Sequence, residues 1–161
     1  MKKLLTFFLV LAMLSLSLCA CMDTGGTDNQ GNGNANQGGS SSNLGDYNVV
    51  IESCRLATDY SGDPIVIVKY KFTNNDDDSS AFAWSITANV YQDGVGLTEC
   101  LLVDDSANYS SDNQYKEIKK GVTLSVEVAY KLNDTTTDIE VEVSELISFS
   151  NKKVTKTFSI E

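Results

Sequence analysis

From Leu44 onward, apolar side chains recur at every second position, a period that a pleated strand can bury on one face and a helix cannot. Val122, Leu124, Val126, Val128 and Tyr130 share one face, opposite Thr123, Ser125, Glu127 and Lys131. Phe82, Trp84, Ile86, Ala88 and Val90 alternate in the same way, and Ile139, Val141 and Val143 face away from Glu140 and Glu142. Val, Ile, Thr, Tyr and Phe dominate these runs, as half-buried strands require. Strands are expected over residues 47–58, 64–73, 81–92, 97–103, 122–132, 137–143 and 153–160. Between them stand turn signals such as Ser61-Gly62-Asp63, Asn74-Asn75-Asp76 and Asp93-Gly94. Residues 44–161 are long enough for one core, so the expectation is an all-β, two-sheet sandwich of about seven antiparallel strands.

The N-terminal residues follow a different rule. Lys2 and Lys3 precede the mostly apolar run Leu4 to Leu18, and Ala20-Cys21 closes it in the pattern of a bacterial lipoprotein signal peptide. Residues 1–20 are expected to be removed and Cys21 to be acylated, since the bulky Leu18 before Cys19 makes that cysteine the poorer acceptor. An uncleaved transmembrane anchor and simple secretion are the alternatives. The apolar run approaches the roughly 18 to 20 residues that cross a bilayer, but no stop-transfer basic cluster follows Met22. Residues 22–43 are Gly, Asn, Gln, Ser, Thr, Ala and Asp apart from Met22, and read as a tether spanning on the order of 25 Å. Gly31-Asn32-Gly33 lies within it, but no strand precedes that run and Asn36 stands where a nucleotide fingerprint would need its third Gly. The expected address is the outer face of a bacterial cytoplasmic membrane, held to the lipid bilayer through Cys21.

Charge narrows the partners. Loss of Lys2 and Lys3 leaves ten basic against twenty-two acidic residues, a net charge of about −12. Nucleic acid and anionic lipid would repel such a surface, so neither is expected as a direct ligand, while a cationic partner or divalent ion suits it. Beyond the leader, Cys54 and Cys100 remain outside the reducing cytoplasm and are expected to form a disulfide, worth roughly 4 kcal/mol by loop closure. Two unpaired thiols are the main alternative. Redox chemistry has no Cys-x-x-Cys spacing behind it.

Candidate sites are few. The chain has no histidine, which removes the usual general base of serine and cysteine hydrolases and the commonest zinc ligand. Glu140 and Glu142 lie two apart on one strand face, a pair that is more often solvated surface than a glycosidase couple. Asp76-Asp77-Asp78 and Asp104-Asp105 are oxygen-rich but lack the spaced order of a calcium loop. No enzyme activity, cofactor or metal site is therefore expected. Trp84 alternates in phase with Phe82 and Ile86, so core packing is favoured over a sugar-stacking platform. Residues 104–120 are polar and weakly periodic, and a loop of that length is the first candidate for a binding surface, with Tyr109, Tyr115 and Lys116 as its contact residues. The plainer reading makes it a crossover between sheets with aromatic anchors.

Three blocks carry a resemblance: Tyr70-Lys71-Phe72-Thr73-Asn74-Asn75, then Val90-Tyr91-Gln92-Asp93-Gly94-Val95-Gly96-Leu97, then Lys120-Gly121-Val122-Thr123-Leu124 with Ala129-Tyr130-Lys131-Leu132. In their order and spacing, from roughly Asp46 to Val143, the chain resembles the Gram-positive lipoprotein domains of unknown function 5067, which are similar to telokin-like and immunoglobulin-like surface sandwiches. The resemblance implies an immunoglobulin-like fold and a cell-surface location. It implies no activity, and no catalytic residues carry over. Address, tether and fold class together point to a lipid-anchored module that binds an extracellular protein, peptide or envelope polymer. The alternative is a structural accessory subunit that offers an exposed strand edge to an envelope complex.

Overall fold

The alternating runs do become strands, and those strands position everything that follows. The structure, a computed structural model, describes residues 40–148 and 151–160. The leader, the expected lipidation site Cys21 and most of the expected tether lie outside the described residues. Among the described residues, eight strands form: β1 (Ser40–Leu44), β2 (Tyr47–Thr58), β3 (Pro64–Asn74), β4 (Ile86–Gln92), β5 (Val95–Gly96), β6 (Thr123–Lys131), β7 (Ile139–Glu145) and β8 (Lys153–Phe158). They build two four-stranded antiparallel sheets, ordered β1-β2-β3-β6 and β5-β4-β7-β8. This is the expected all-β sandwich, with one strand more than the pattern of alternation foretold.

The main core lies between the sheets. Val66, Val68, Tyr70 and Phe72 of β3 meet Val126, Val128 and Tyr130 of β6 on one side and Val90, Val141 and Val143 on the other, all buried. Each side chain enters because period two carries every second residue of its strand to the same face. Ile65, Ile67 and Ala129 point the opposite way, yet they too are buried, together with Cys100. A second, smaller core therefore sits on the outer face of the first sheet, covered by Val103, Ala107 and Tyr109. The long segment between β5 and β6 is a blanket over that face.

Local chemistry explains the tight turns. Asp93 and Gly94 both take positive φ, 52° and 75°, the two left-handed positions that a two-residue hairpin needs. Gln92 precedes them and is buried. Its Nε2 donates to the carbonyls of Asp134 (3.0 Å) and Thr137 (2.9 Å), and its Oε1 accepts from Asn133 N (2.8 Å). One side chain thus satisfies three backbone groups of the β6–β7 loop.

Four expectations need correction. The stretch 81–85 is not strand: Phe82–Ser85 make one helical turn, α1, before β4 begins. That turn drops Phe82 into the core, 5.3 Å from the Tyr70 ring and 5.8 Å from the Phe72 ring, and throws Trp84 outward, 57% exposed. Residues 97–103 are not a regular strand either; only Glu99 and Val103 make isolated bridges, and Leu101 and Leu102 are exposed. Residues 40–43, assigned by composition to the tether, pair with β2.

The expected disulfide is the fourth. Cys54 and Cys100 are both free. Cys54 pairs with Val68 in register and packs on the inter-sheet core, whereas Cys100 lies with Ile65 and Ile67 on the outer face of the same sheet. A sheet stands between their thiols, and a bridge needs Cβ atoms about 4 Å apart.

Candidate functional site

The two sheets part along the side where β4 faces β6. β5 pairs only with Tyr91 and Gln92, so the earlier residues of β4 have no strand beyond them. β6 is an edge as well, but its outward carbonyls are occupied. Ser125 O accepts from Asn113 Nδ2 (2.9 Å), Glu127 O from Gln114 Nε2 (2.9 Å) and Ala129 O from Cys100 N (2.7 Å), while Lys131 N donates to Thr98 O (2.8 Å). Side chains and loop backbone do the capping that a neighbouring strand would otherwise supply.

A cleft of about 300 Å³ remains between these edges. Ile86 and Ala88 of β4 and Val128 and Tyr130 of β6 form its inner wall, and α1 and the 3₁₀ turn Asp112–Gln114 form its rim. Tyr130 ties the floor together, its hydroxyl donating across the gap to Ala88 O at 3.3 Å. Trp84 and Tyr115 stand at the mouth, ring centroids 5.7 Å apart and tilted by 53°. Both are about half exposed, at 57% and 49%.

Glu99 is the one ionisable carboxylate in this lining, and no lysine or arginine lines it. It is exposed and, among the described residues, has no ion-pair partner. Its charge is felt by the phenols around it. Burial first, then Glu99 beside it, holds the Tyr109 hydroxyl up at about 12, and burial with the same carboxylate raises Tyr130 as well. Tyr70 is raised too, chiefly by complete burial and then by Tyr130 beside it.

The loop residues expected to make contact part company here. Tyr115 lines the cleft. Tyr109 lies half-buried against the second core, where its hydroxyl accepts from Gln114 Nε2 at 3.3 Å. Lys116 is exposed and donates to Asn113 Oδ1 at 2.8 Å. Trp84, Glu99, Gln114 and Tyr130 complete the cleft without having been expected there. A tryptophan in strand phase reads as core, and nothing in local spacing says that four separated segments meet.

A second hollow, of about 520 Å³, lies at the end of the sandwich that carries the β2–β3 turn, lined by Tyr60, Leu101 and Leu102 with the Lys131–Asp59 ion pair (3.3 Å). Asp59 is buried there and held below the usual carboxylate range, first by the Asp63 N–H, then by Ser61 and Lys131. The acidic loops are internally occupied: Asp77 pairs with Lys120 at 2.6 Å, and Asp104 Oδ1 accepts from Ser106 N at 2.9 Å. Among the described residues, no group of three or more carboxylates and thiols converges as a metal site would require, and no helix is long and apolar enough to cross a membrane.

Three solved structures share the fold. A protein of Staphylococcus aureus provisionally named a lipoprotein superposes with a TM-score of 0.57 at 19% identity, covering 76% of this chain and 94% of its own. A protein of Enterococcus faecalis, solved by NMR, gives 0.56 at 16% identity, with 76% and 90% covered. A conserved hypothetical protein of Bacillus anthracis gives 0.51 at 12%, with 71% and 90% covered. No curated protein matches the chain. The three structures speak for the fold alone; the sequence itself goes further, because residues 27–145 match a family pattern, and the chain belongs to the family described as Domain of unknown function (DUF5067).

Proposed function

We propose that this protein is a lipid-anchored binding module on the outer face of a bacterial cytoplasmic membrane, and that the cleft between Trp84 and Tyr115 is where it takes an extracellular protein, peptide or envelope polymer. The observation that carries the binding role is the aromatic pair at the cleft mouth. Full burial of either ring would contribute roughly 2 to 3 kcal/mol, yet the fold leaves both half exposed beside an empty-handed carboxylate. Exposed paired aromatics with a few convergent polar groups are the usual composition of a ligand cleft. The anchor rests on Lys2, Lys3, the apolar run and Ala20-Cys21, and the lipoprotein name of the similar Staphylococcus aureus structure supports it. The strand-edge alternative is disfavoured at β6, where the outward carbonyls of Ser125, Glu127 and Ala129 are already taken.

Two readouts on the full chain in a Gram-positive host test this. Fatty-acid labelling and membrane fractionation should follow the wild type and be lost in Cys21→Ser. Thermal stability of the purified chain should rise with cell-wall fragments, glycans or peptides, and the rise should vanish in Trp84→Ala with Tyr115→Ala. A membrane-bound, labelled Cys21→Ser protein would overturn the anchor. A shift unchanged by the two aromatic replacements would overturn the cleft.

A further inference from the structure

We propose that the group the cleft takes is an organic cation, an ammonium head carried on a short alkyl stem. This rests on the reading of the cleft as the binding surface and names its ligand chemistry. Phe82, Trp84, Tyr115 and Tyr130 all contribute to the lining, and of these Trp84 and Tyr115 present open ring surface at the mouth. An aromatic face attracts a cation through its quadrupole and repels an anion. Glu99 adds a full negative charge at the same place, uncompensated by any ion pair among the described residues. The two basic side chains next in sequence to lining residues are engaged elsewhere, Lys116 with Asn113 and Lys131 with Asp59.

Two side-chain donors of the lining are already committed. Gln114 Nε2 donates to Glu127 O and to Tyr109 Oη, and the Tyr130 hydroxyl donates to Ala88 O. An anion, or a sugar that needs donors at its hydroxyl oxygens, would have to displace these bonds to use them; a cation needs no donor. The chain's formal charge of −10 favours the same sign of ligand at long range. A volume of about 300 Å³ holds one such head and its stem, and no folded segment. The head could come from a free trimethylammonium compound or from a lysine side chain of a peptide, which share this chemistry.

Trp84 is the only tryptophan of the chain and reports on its own site. The full chain, in non-ionic detergent at fixed ionic strength, is titrated with choline, with capped lysine, and with 3,3-dimethylbutanol, the uncharged isostere of choline, while its emission is followed. One or both cations should change the emission saturably, and the isostere should bind at least about tenfold more weakly. Choline alone would assign the trimethylammonium source, and lysine alone the peptide source; either supports the proposal. Glu99→Gln, at an exposed position and with its melting temperature checked, should weaken the cation about tenfold, and Tyr115→Leu should weaken it similarly. Equal binding of the isostere, or an unchanged Glu99→Gln affinity, would overturn the cation while leaving the cleft as the binding surface. No response to either cation overturns the proposal. If cell-wall fragments also leave Trp84 unmoved, the cleft reading falls with it.

Discussion

Arg55 and Glu127 meet fork to fork across the outer face of the first sheet, Nη1 to Oε1 at 2.6 Å and Nη2 to Oε2 at 3.1 Å, with β3 running between their strands. The same Nη2 donates to Ala107 O at 3.2 Å, so this pair clamps the long loop onto the sheet that it covers. Arg55→Met keeps the apolar stem and removes the fork. It is expected to cost about 1 to 2 kcal/mol in denaturant unfolding and to speed amide exchange over residues 104–110. Unchanged exchange there would show that the loop is held by Tyr109 and Val103 alone.

Gln92 is nearly inaccessible and bonds three backbone groups of the β6–β7 loop. Gln92→Leu fills similar space but leaves those groups unpaired. The expected loss is about 2 to 4 kcal/mol, because stranded buried partners cost more than the bond itself gained. Thermal unfolding measures it, and limited proteolysis should place new cleavage in residues 132–138.

The free thiols predict insensitivity to reductant. Melting temperature should be the same with and without dithiothreitol, and alkylation after denaturation without reductant should modify both Cys54 and Cys100, read by mass. Burial raises the Cys54 thiol, outweighing the lowering effect of Lys156, so its native alkylation should be slow at neutral pH. A mass showing the two cysteines linked would mean that the sheet rearranges on oxidation.

Asp134 makes a local cap whose effect depends on pH. Its carboxylate accepts from Thr136 N (2.8 Å), Thr137 N (2.7 Å) and Thr137 Oγ1 (2.9 Å), and these bonds lower it from 3.8 to about 2. A carboxylate held low in the folded state stabilises fully above its unfolded value and loses that contribution as pH falls toward the folded one. Asp134→Ala should therefore melt below the wild type at pH 7 by an amount that stays constant down to about pH 4 and shrinks toward pH 2. A gap that persists unchanged at pH 2 would assign the effect to the loop backbone instead.

The alternation of apolar and polar residues determined the strands. β2 runs over the expected Tyr47–Thr58, and β3, β6, β7 and β8 fall within a few residues of expectation, because period two is a property of the strand's own backbone. Asp93-Gly94 likewise specified its turn, since left-handed φ is a local demand. Tyr115 was legible as a contact residue from the aromatic content of a long polar loop. Trp84 was not, because one helical turn between Ala81 and Ile86 keeps Phe82 in the core and carries Trp84 out of it. Ser40–Leu44 have no apolar pattern and are strand only because β2 offers them an unpaired edge. Cys54 and Cys100 looked like a pair on count alone, and the sheet that separates them is a fact of tertiary packing. The cleft, too, belongs to that level: α1, Glu99, the Asp112–Gln114 turn and the facing strands β4 and β6 are brought together only when the two sheets close. Local backbone geometry is written in neighbouring residues; which face is covered, and by what, depends on contacts between residues far apart in the chain.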